Sequence, residues 1–257
     1  RSGMPAAVLF DLDGTLIPID SDHAFGEFMV AIGWADAEVF RRRNDEFYAH
    51  YQAGTLDPAA YVDFATAVWR SRPVDQAYAA RERFMAEVLR PRVTPQAREL
   101  VQFHQQRGDL VAIVTATNEF VTAPIAAEFG VAELLAVELE RGAVPPGQAA
   151  ELAPWHGRIL GTPTFQAGKV KRVDDWLARL GHSRSDFAAI TVYSDSPNDL
   201  PLLELASCPV ATNPTPALEA VARERGLAGR APKAHRSSSS ARAAAASTAA
   251  IGSAYPV

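Results

Sequence analysis

Residues 6–17 read AAVLFDLDGTLI, and the rest of the chain is best read outward from them. A short apolar run, Ala6 to Phe10, ends in Asp11. Asp13 follows, and Gly14 and Thr15 then break the extended stretch. An apolar run of this length bounded by a glycine turn predicts a buried parallel strand. Ligands of an open parallel sheet bind beyond the carboxyl ends of its strands, so Asp11 and Asp13 are expected at the mouth of one. Two carboxyls that close raise one another's pKa unless a cation or hydrogen-bond donors hold them ionised. An oxygen-rich setting suits a hard cation such as magnesium. The competing reading is an ordinary Asp-Gly turn.

The 257 residues suffice for one large domain or a core with a smaller insertion. The net charge of -5 argues against nucleic acid or an anionic membrane as the main partner. Cys208 is the single cysteine and cannot form an internal disulfide, which fits a reducing, cytoplasmic compartment. There is no apolar run long enough for a membrane span. A secretory leader is not expected, because the apolar stretch after Met4 is short and runs into Asp11.

Residues 18–92 carry only helical periodicities. Ser21 can cap a first helix ending near Gly33, and a second runs from about Asp36 to Ala53. Asp57-Pro58 opens a third, and the fourth runs from about Val74 to Arg90, where Pro91 stops it. Four helices inserted after a strand predict a small bundle on top of a sheet. From Thr94 the pattern becomes a helix closed by Gly108, a strand at 110–115, a helix to about Phe129 and a strand at 134–137. Next come a Gly/Pro-rich hairpin-like excursion over 138–165 and a helix from about Lys169 to Leu180. The series ends with strands at 188–193 and 207–211, separated by a short helix near Asn198, and a helix after Pro214. The expected fold is therefore α/β: a doubly wound parallel, Rossmann-like sheet over 4–17 and 93–228 with an all-helical cap over 18–92. Residues 229–257 are Ser- and Ala-rich and are expected to form a flexible tail.

Further strand ends bring polar groups to the same edge. Thr115 ends one strand, with Thr117 and Asn118 opening the next helix, a natural phosphate cradle. Thr115 or Thr117 can equally be a plain helix cap. SDSPNDL at 194–200 sets Asp195 and Asp199 beyond another strand. The alternative there is capping by Ser196 or Asn198 with dipole-favoured acids in the first turn. Lys169, after Gly168, opens a helix where an anionic partner would offset the unfavourable dipole; Lys171 and Arg172 are the alternatives.

DLDGTL at 11–16, Thr115, Lys169 and SDSPNDL at 194–200, in this order, resemble the haloacid dehalogenase superfamily. The helical insertion, with DSDHAFGEF, VTATNEFV and GTPTFQAGKVKRVDDWL, is similar to its phosphoserine-phosphatase-like branch. The resemblance implies a phosphatase acting on a small phosphorylated substrate. Asp11 would be the nucleophile and Asp13 the acid and base. Mg2+ would be held by Asp11, the Asp13 carbonyl and Asp195. Thr115 would donate to a phosphoryl oxygen, Lys169 would neutralise developing charge, and Asp199, supported by Asn198, would orient Lys169 or a metal-bound water. Dehalogenases of the superfamily lack the second acid, so Asp13 favours phosphate substrates. Asp20, nine residues after the nucleophile, matches the spacing of an amine-binding acid in phosphoserine phosphatases, and Asp22 lies beside it. An amine-bearing phosphate such as phosphoserine or histidinol phosphate follows. A phosphotransferase or mutase using the same aspartyl-phosphate, and a non-catalytic binding protein on the same fold, are the alternatives.

Two cap residues stand out by periodicity. Asn44 shares a stripe with Phe40, Phe47 and Tyr51, and Arg81 shares one with Ala77, Phe84, Met85 and Val88. A buried arginine needs an anionic or carbonyl partner. That partner is expected to be Asp63 or Glu27 within the cap, or else the non-phosphate part of the substrate. Asn118 is a further candidate substrate contact.

Overall fold

The computed structural model describes residues 5–225, so the expected tail at 229–257 lies outside the described residues. Six strands form one sheet in the order β4-β3-β2-β1-β5-β6. They are β1 (Ala7–Phe10), β2 (Leu110–Asn118), β3 (Glu133–Arg141), β4 (Trp155–Leu160), β5 (Ile190–Ser194) and β6 (Cys208–Ala211). All neighbours are parallel except β3 and β4, which form the antiparallel arm. β1 is central: Ala7 is in register with Leu110 on one side and Ile190 on the other. The chain winds outward from β1 through β2 and β3, then returns to β5 on the opposite flank. That reversal opens a crevice at the carboxyl ends of the strands.

Both faces of β1 are buried, and its residues alternate between two cores. Val8 and Phe10 join Val111, Ile113 and the helices of one face, whereas Ala7 and Leu9 join Ala112, Val114, Val173, Trp176 and Leu177 on the other. The second face is covered by α7 (Ala167–Arg179), α8 (Leu200–Leu205) and α9 (Pro216–Glu224). The first is covered by α5 (Pro95–Gln106), α6 (Glu119–Glu128) and the inserted helices α1 (Ser21–Ala31), α3 (Pro58–Arg70) and α4 (Val74–Phe84), with α2 (Ala37–Gln52) against α1. Phe25, Phe84, Trp69 and Phe120 knit the insertion to that face. The Trp69 and Phe120 rings stack 3.9 Å apart.

Local chemistry sets the helix boundaries. Asp36, Asp57 and Thr94 each accept a backbone N–H as N-caps, at the expected places. Three expectations need correction. Asp20, not Ser21, caps α1, accepting from the N–H groups of Asp22 and His23. The fourth helix leaves α geometry at Phe84 and continues as a wide turn over Met85–Leu89 and a tight one over Arg90–Arg92. Pro91 lacks the N–H that would continue the ladder, so the helix loosens ahead of it. β2 does not end at Thr115 but runs on to Asn118 through a register shift after Val114. There the Thr117 N–H bonds the Thr115 hydroxyl, 3.2 Å away, rather than a neighbouring strand.

Candidate active site

The crevice above β1, β2 and β5 gathers six of the predicted groups: Asp11, Asp13, Thr115, Lys169, Asp195 and Asp199. Asp11 lies immediately beyond β1, and the ammonium of Lys169 reaches its Oδ1 at 3.1 Å. Lys169 also meets Asp199 Oδ1 at 2.8 Å and donates to the Val114 carbonyl at 3.1 Å. All three ammonium hydrogens are thus engaged, and Lys169 and Asp199 are both buried. Burial alone would lower the lysine pKa, but Asp11 and Asp199 together raise it above its ordinary value, so Lys169 is charged. Ser194 fixes the second Asp199 oxygen with a 2.7 Å hydrogen bond. Lys171 pairs with Asp175 on the surface, and Arg172 bonds the carbonyls of Ala136 and Thr162, so neither alternative lysine role applies.

Asp195, beyond β5, approaches from the other side. Thr15 donates to its Oδ1 at 3.1 Å. Gly14, with φ of +73°, makes room for it: a Cβ there would lie 2.2 Å from Asp195 Oδ2. Burial pushes the Asp11 carboxyl up to about 7 against the pull of Lys169, with Asp195 raising it further. Burial also raises Asp195, while its hydrogen bond with Asp11 lowers it. Burial likewise lifts Asp199 to about 6, despite Lys169.

Asp13 is held separately. Its Oδ1 accepts the Ser21 N–H at 2.9 Å and its Oδ2 accepts the Thr117 hydroxyl at 2.8 Å. Burial first, then the charge of Asp20, raises its pKa well above the carboxylate range. Ser21 and Thr117 were readable only as caps, yet both bind Asp13. The Thr117 side chain is no cap, because Asn118 caps α6 through a bond from the Val121 N–H. Thr115 is buried and accepts the Thr117 N–H, leaving its own hydrogen to donate. Thr164 anchors the Thr115 carbonyl.

The outlying candidates divide. Asp20 is exposed and occupied as the α1 cap. Asp22 faces Tyr61, whose hydroxyl donates to Asp22 Oδ2 at 2.7 Å, and burial with the charge of Asp20 raises Asp22 to about 7. The same phenol lies within electrostatic reach of Asp20 and Asp13. Among the described residues, the Asn44 amide hydrogen-bonds only the His23 ring, at 3.4 Å. Asn118 is buried in its capping role. Arg81 is a correction: Asp63 pairs with Arg70 and Glu27 with Arg41. Arg81 instead donates to the Phe120 carbonyl at 3.0 Å and lies over the Tyr78 and Phe120 rings. It borders a separate surface cavity with Glu119, Arg141 and Trp155 and is not brought to the carboxyls.

The donor set suits a hard divalent cation. Asp11, Asp195 and the Asp13 carbonyl offer only oxygen, and four aspartates face one lysine. A phosphate dianion cannot enter such a field without a further positive charge. Among the described residues no three ionisable side chains converge as a ready-made metal cluster, so the site would rest on two carboxylates and a carbonyl.

The model for haloacid dehalogenase-like hydrolases matches residues 8–204. A histidinol-phosphatase of Neisseria meningitidis serogroup C (strain 8013) is 38% identical over 87% of this chain and 97% of its own. A phosphoserine phosphatase of Mycobacterium tuberculosis (strain ATCC 25618 / H37Rv) is 31% identical over 87% of this chain and 70% of its own. A crystal structure of a Bordetella pertussis Tohama I protein with unknown function superposes with a TM-score of 0.78 at 43% identity, covering 87% of this chain and 96% of that one.

Proposed function

Because the chain belongs to the haloacid dehalogenase-like hydrolase family, we propose that it is a Mg2+-dependent phosphomonoesterase working through an aspartyl-phosphate on Asp11. The observation that carries this reading is the Lys169 ammonium fixed between Asp11 and Asp199, opposite Asp195. Asp11 Oδ2, the oxygen not bonded to Lys169, would attack phosphorus and displace the leaving alkoxide. Asp13, kept protonated by burial, would give that alkoxide its proton and then take one from water to hydrolyse the intermediate. Lys169 would neutralise charge growing on the phosphoryl oxygens, and Thr115 would donate to one of them. Asp199 positions Lys169. Asp11, the Asp13 carbonyl and Asp195 would hold Mg2+, whose positive charge would screen the dianion from the acids. Residues 18–92 would serve as the cap that covers the site and excludes water.

The substrate is a small metabolite phosphate carrying a cationic group, with histidinol phosphate as the leading example because of the Neisseria relative. The alcohol must leave beside Asp13, and Asp22 with Tyr61 lies on that side. Asp22 has no cationic partner among the described residues, so an ammonium or imidazolium there would offset its burial. A cytoplasmic location accords with the single cysteine, and no helix among the described residues is long and apolar enough to cross a membrane.

The test is inorganic phosphate release from para-nitrophenyl phosphate and a panel of metabolite phosphates with Mg2+. Expected are activity abolished in Asp11→Asn and at least about tenfold higher kcat/KM for cationic substrates. One misplaced charge of ~1.4 kcal/mol produces that factor. Unchanged phosphate release in Asp11→Asn overturns the mechanism. Equal turnover of cationic and neutral substrates overturns the substrate class.

A further inference from the structure

The cavity that Arg81 borders has a volume of about 500 Å3 and opens where three parts of the chain meet. Tyr78 and Arg81 come from α4 of the insertion, Glu119 from the start of α6, and Arg141, Glu151 and Trp155 from the antiparallel arm. Small-molecule sites have this size and mix aromatic walls with a few polar groups. Both guanidiniums lie on rings: Arg141 is 3.6 Å over Trp155, and Arg81 is 4.8 Å over both Tyr78 and Phe120. Arg141 Nη2 donates to the carbonyls of Glu151 and Ala153, at 3.1 and 2.7 Å, as Arg81 Nη1 does to that of Phe120. These contacts fix the two cations, yet each uses only one nitrogen. Among the described residues the other guanidinium nitrogens make no hydrogen bond, and neither arginine forms an ion pair. Arg81 Nε and Trp155 Nε1 are buried without an acceptor, which leaves that wall short of negative charge. Glu119 is the counterpart. Its Oε1 accepts the Leu139 N–H at 3.3 Å, its Oε2 has no partner among the described residues, and burial raises its pKa.

We propose that this cavity binds a free α-amino acid, its carboxylate held by Arg81 and Arg141 and its ammonium by Glu119. The charge balance selects the class. Two arginines and two glutamates line the cavity, so a bare anion or a bare cation meets like charge, whereas a zwitterion pairs both of its ends. A phosphate dianion is disfavoured by Glu119 and Glu151 together. The occupant would add to a link that already joins the insertion to the arm, the 3.1 Å hydrogen bond from the Tyr78 hydroxyl to the Glu151 carbonyl. The site shares no residue with the carboxyl crevice and stands independently of the phosphatase reading.

The experiment is calorimetric titration of the full chain in EDTA with L-leucine and with L-phenylalanine. Each is compared with its des-amino acid, which lacks the ammonium, and with its des-carboxy amine. Wild type is expected to bind an amino acid at least about tenfold more tightly than either analogue, the factor that goes with one charged contact. Glu119→Gln keeps the side-chain shape. It should weaken the amino acid by about tenfold or more and leave the des-amino acid within about twofold of its wild-type affinity. Arg141→Met should weaken both by about tenfold. Glu119→Gln decides the matter by itself if Arg141→Met does not fold. No binding of either amino acid by the wild type overturns the proposal, and equal affinity for the amino acid and its des-amino acid overturns the ligand class. Undiminished amino-acid binding in folded Glu119→Gln overturns the proposal too, because it places the ligand elsewhere. So does equal weakening of the amino acid and the des-amino acid in that variant, which would show a packing defect rather than a lost charge.

Discussion

Replacing Lys169 with methionine keeps the side-chain length and removes three hydrogen bonds with one charge. In the native protein the ammonium contacts Asp11 at 3.1 Å, Asp199 at 2.8 Å and the Val114 carbonyl at 3.1 Å, with almost no access to water. Breaking a buried pair while its acids stay ionised costs about 3–5 kcal/mol. At ~2–4 °C per kcal/mol for a chain of this size, the melting temperature should fall by about 6–20 °C at pH 8. The penalty depends on pH. Asp11 and Asp199 titrate near 7 and 6 with Lys169 present, both raised by burial, and higher still without it. A raised carboxyl binds more protons folded than unfolded, so its stability contribution is complete below the unfolded pKa and declines as pH rises through the folded one. At pH 5 both acids in the variant are protonated, and nothing charged is left unpaired. The deficit should therefore open between about pH 6 and 8 and nearly vanish at pH 5. Thermal unfolding followed by circular dichroism in EDTA at the two pH values measures it. A deficit of the same size at both would mean that packing, not charge, is what Lys169 contributes.

Gly14→Ala should lose at least about 90% of phosphatase activity, because its Cβ would collide with Asp195 Oδ2 and its φ is positive; turnover at saturating substrate measures it. Thr117→Val removes one of two donors to Asp13. Its ionised form loses support, its pKa climbs further, and the rise of activity on the second step should shift to higher pH in a pH–kcat profile. Mg2+ at about 100 times its Kd should stabilise the wild type by ~2.7 kcal/mol, seen as a thermal shift of several degrees. Asp195→Asn should abolish most of that shift while still folding; an undiminished shift would place the ion elsewhere.

Much of this molecule could be read directly. β1 announces itself because its apolar residues are contiguous and Asp11 follows without a gap. The helix starts at 36, 57 and 94 were legible because a cap acts on residues two or three places along. What stayed hidden depended on partners remote in the chain. The Asp13 cradle joins Ser21 to Thr117, 96 residues apart, and an Asp-Ser pair before a helix looks the same whichever residue caps. Arg81 was legible as a half-buried charge, but its partner is a backbone carbonyl, which every residue carries and none advertises. The end of β2 was misplaced because the bulge replaces a ladder bond with a threonine hydroxyl, leaving the local composition unchanged.

The position of β1 has a consequence for how the chain is made. It is translated before both of its neighbours, the segments beginning at 110 and 190, with the helical insertion intervening. Until both emerge, AVLF has no ladder and two unshielded greasy faces. Biogenesis should therefore be slow and sensitive to crowding at the ribosome exit, and variants that delay β5 should surface as insoluble protein before they register as lost activity.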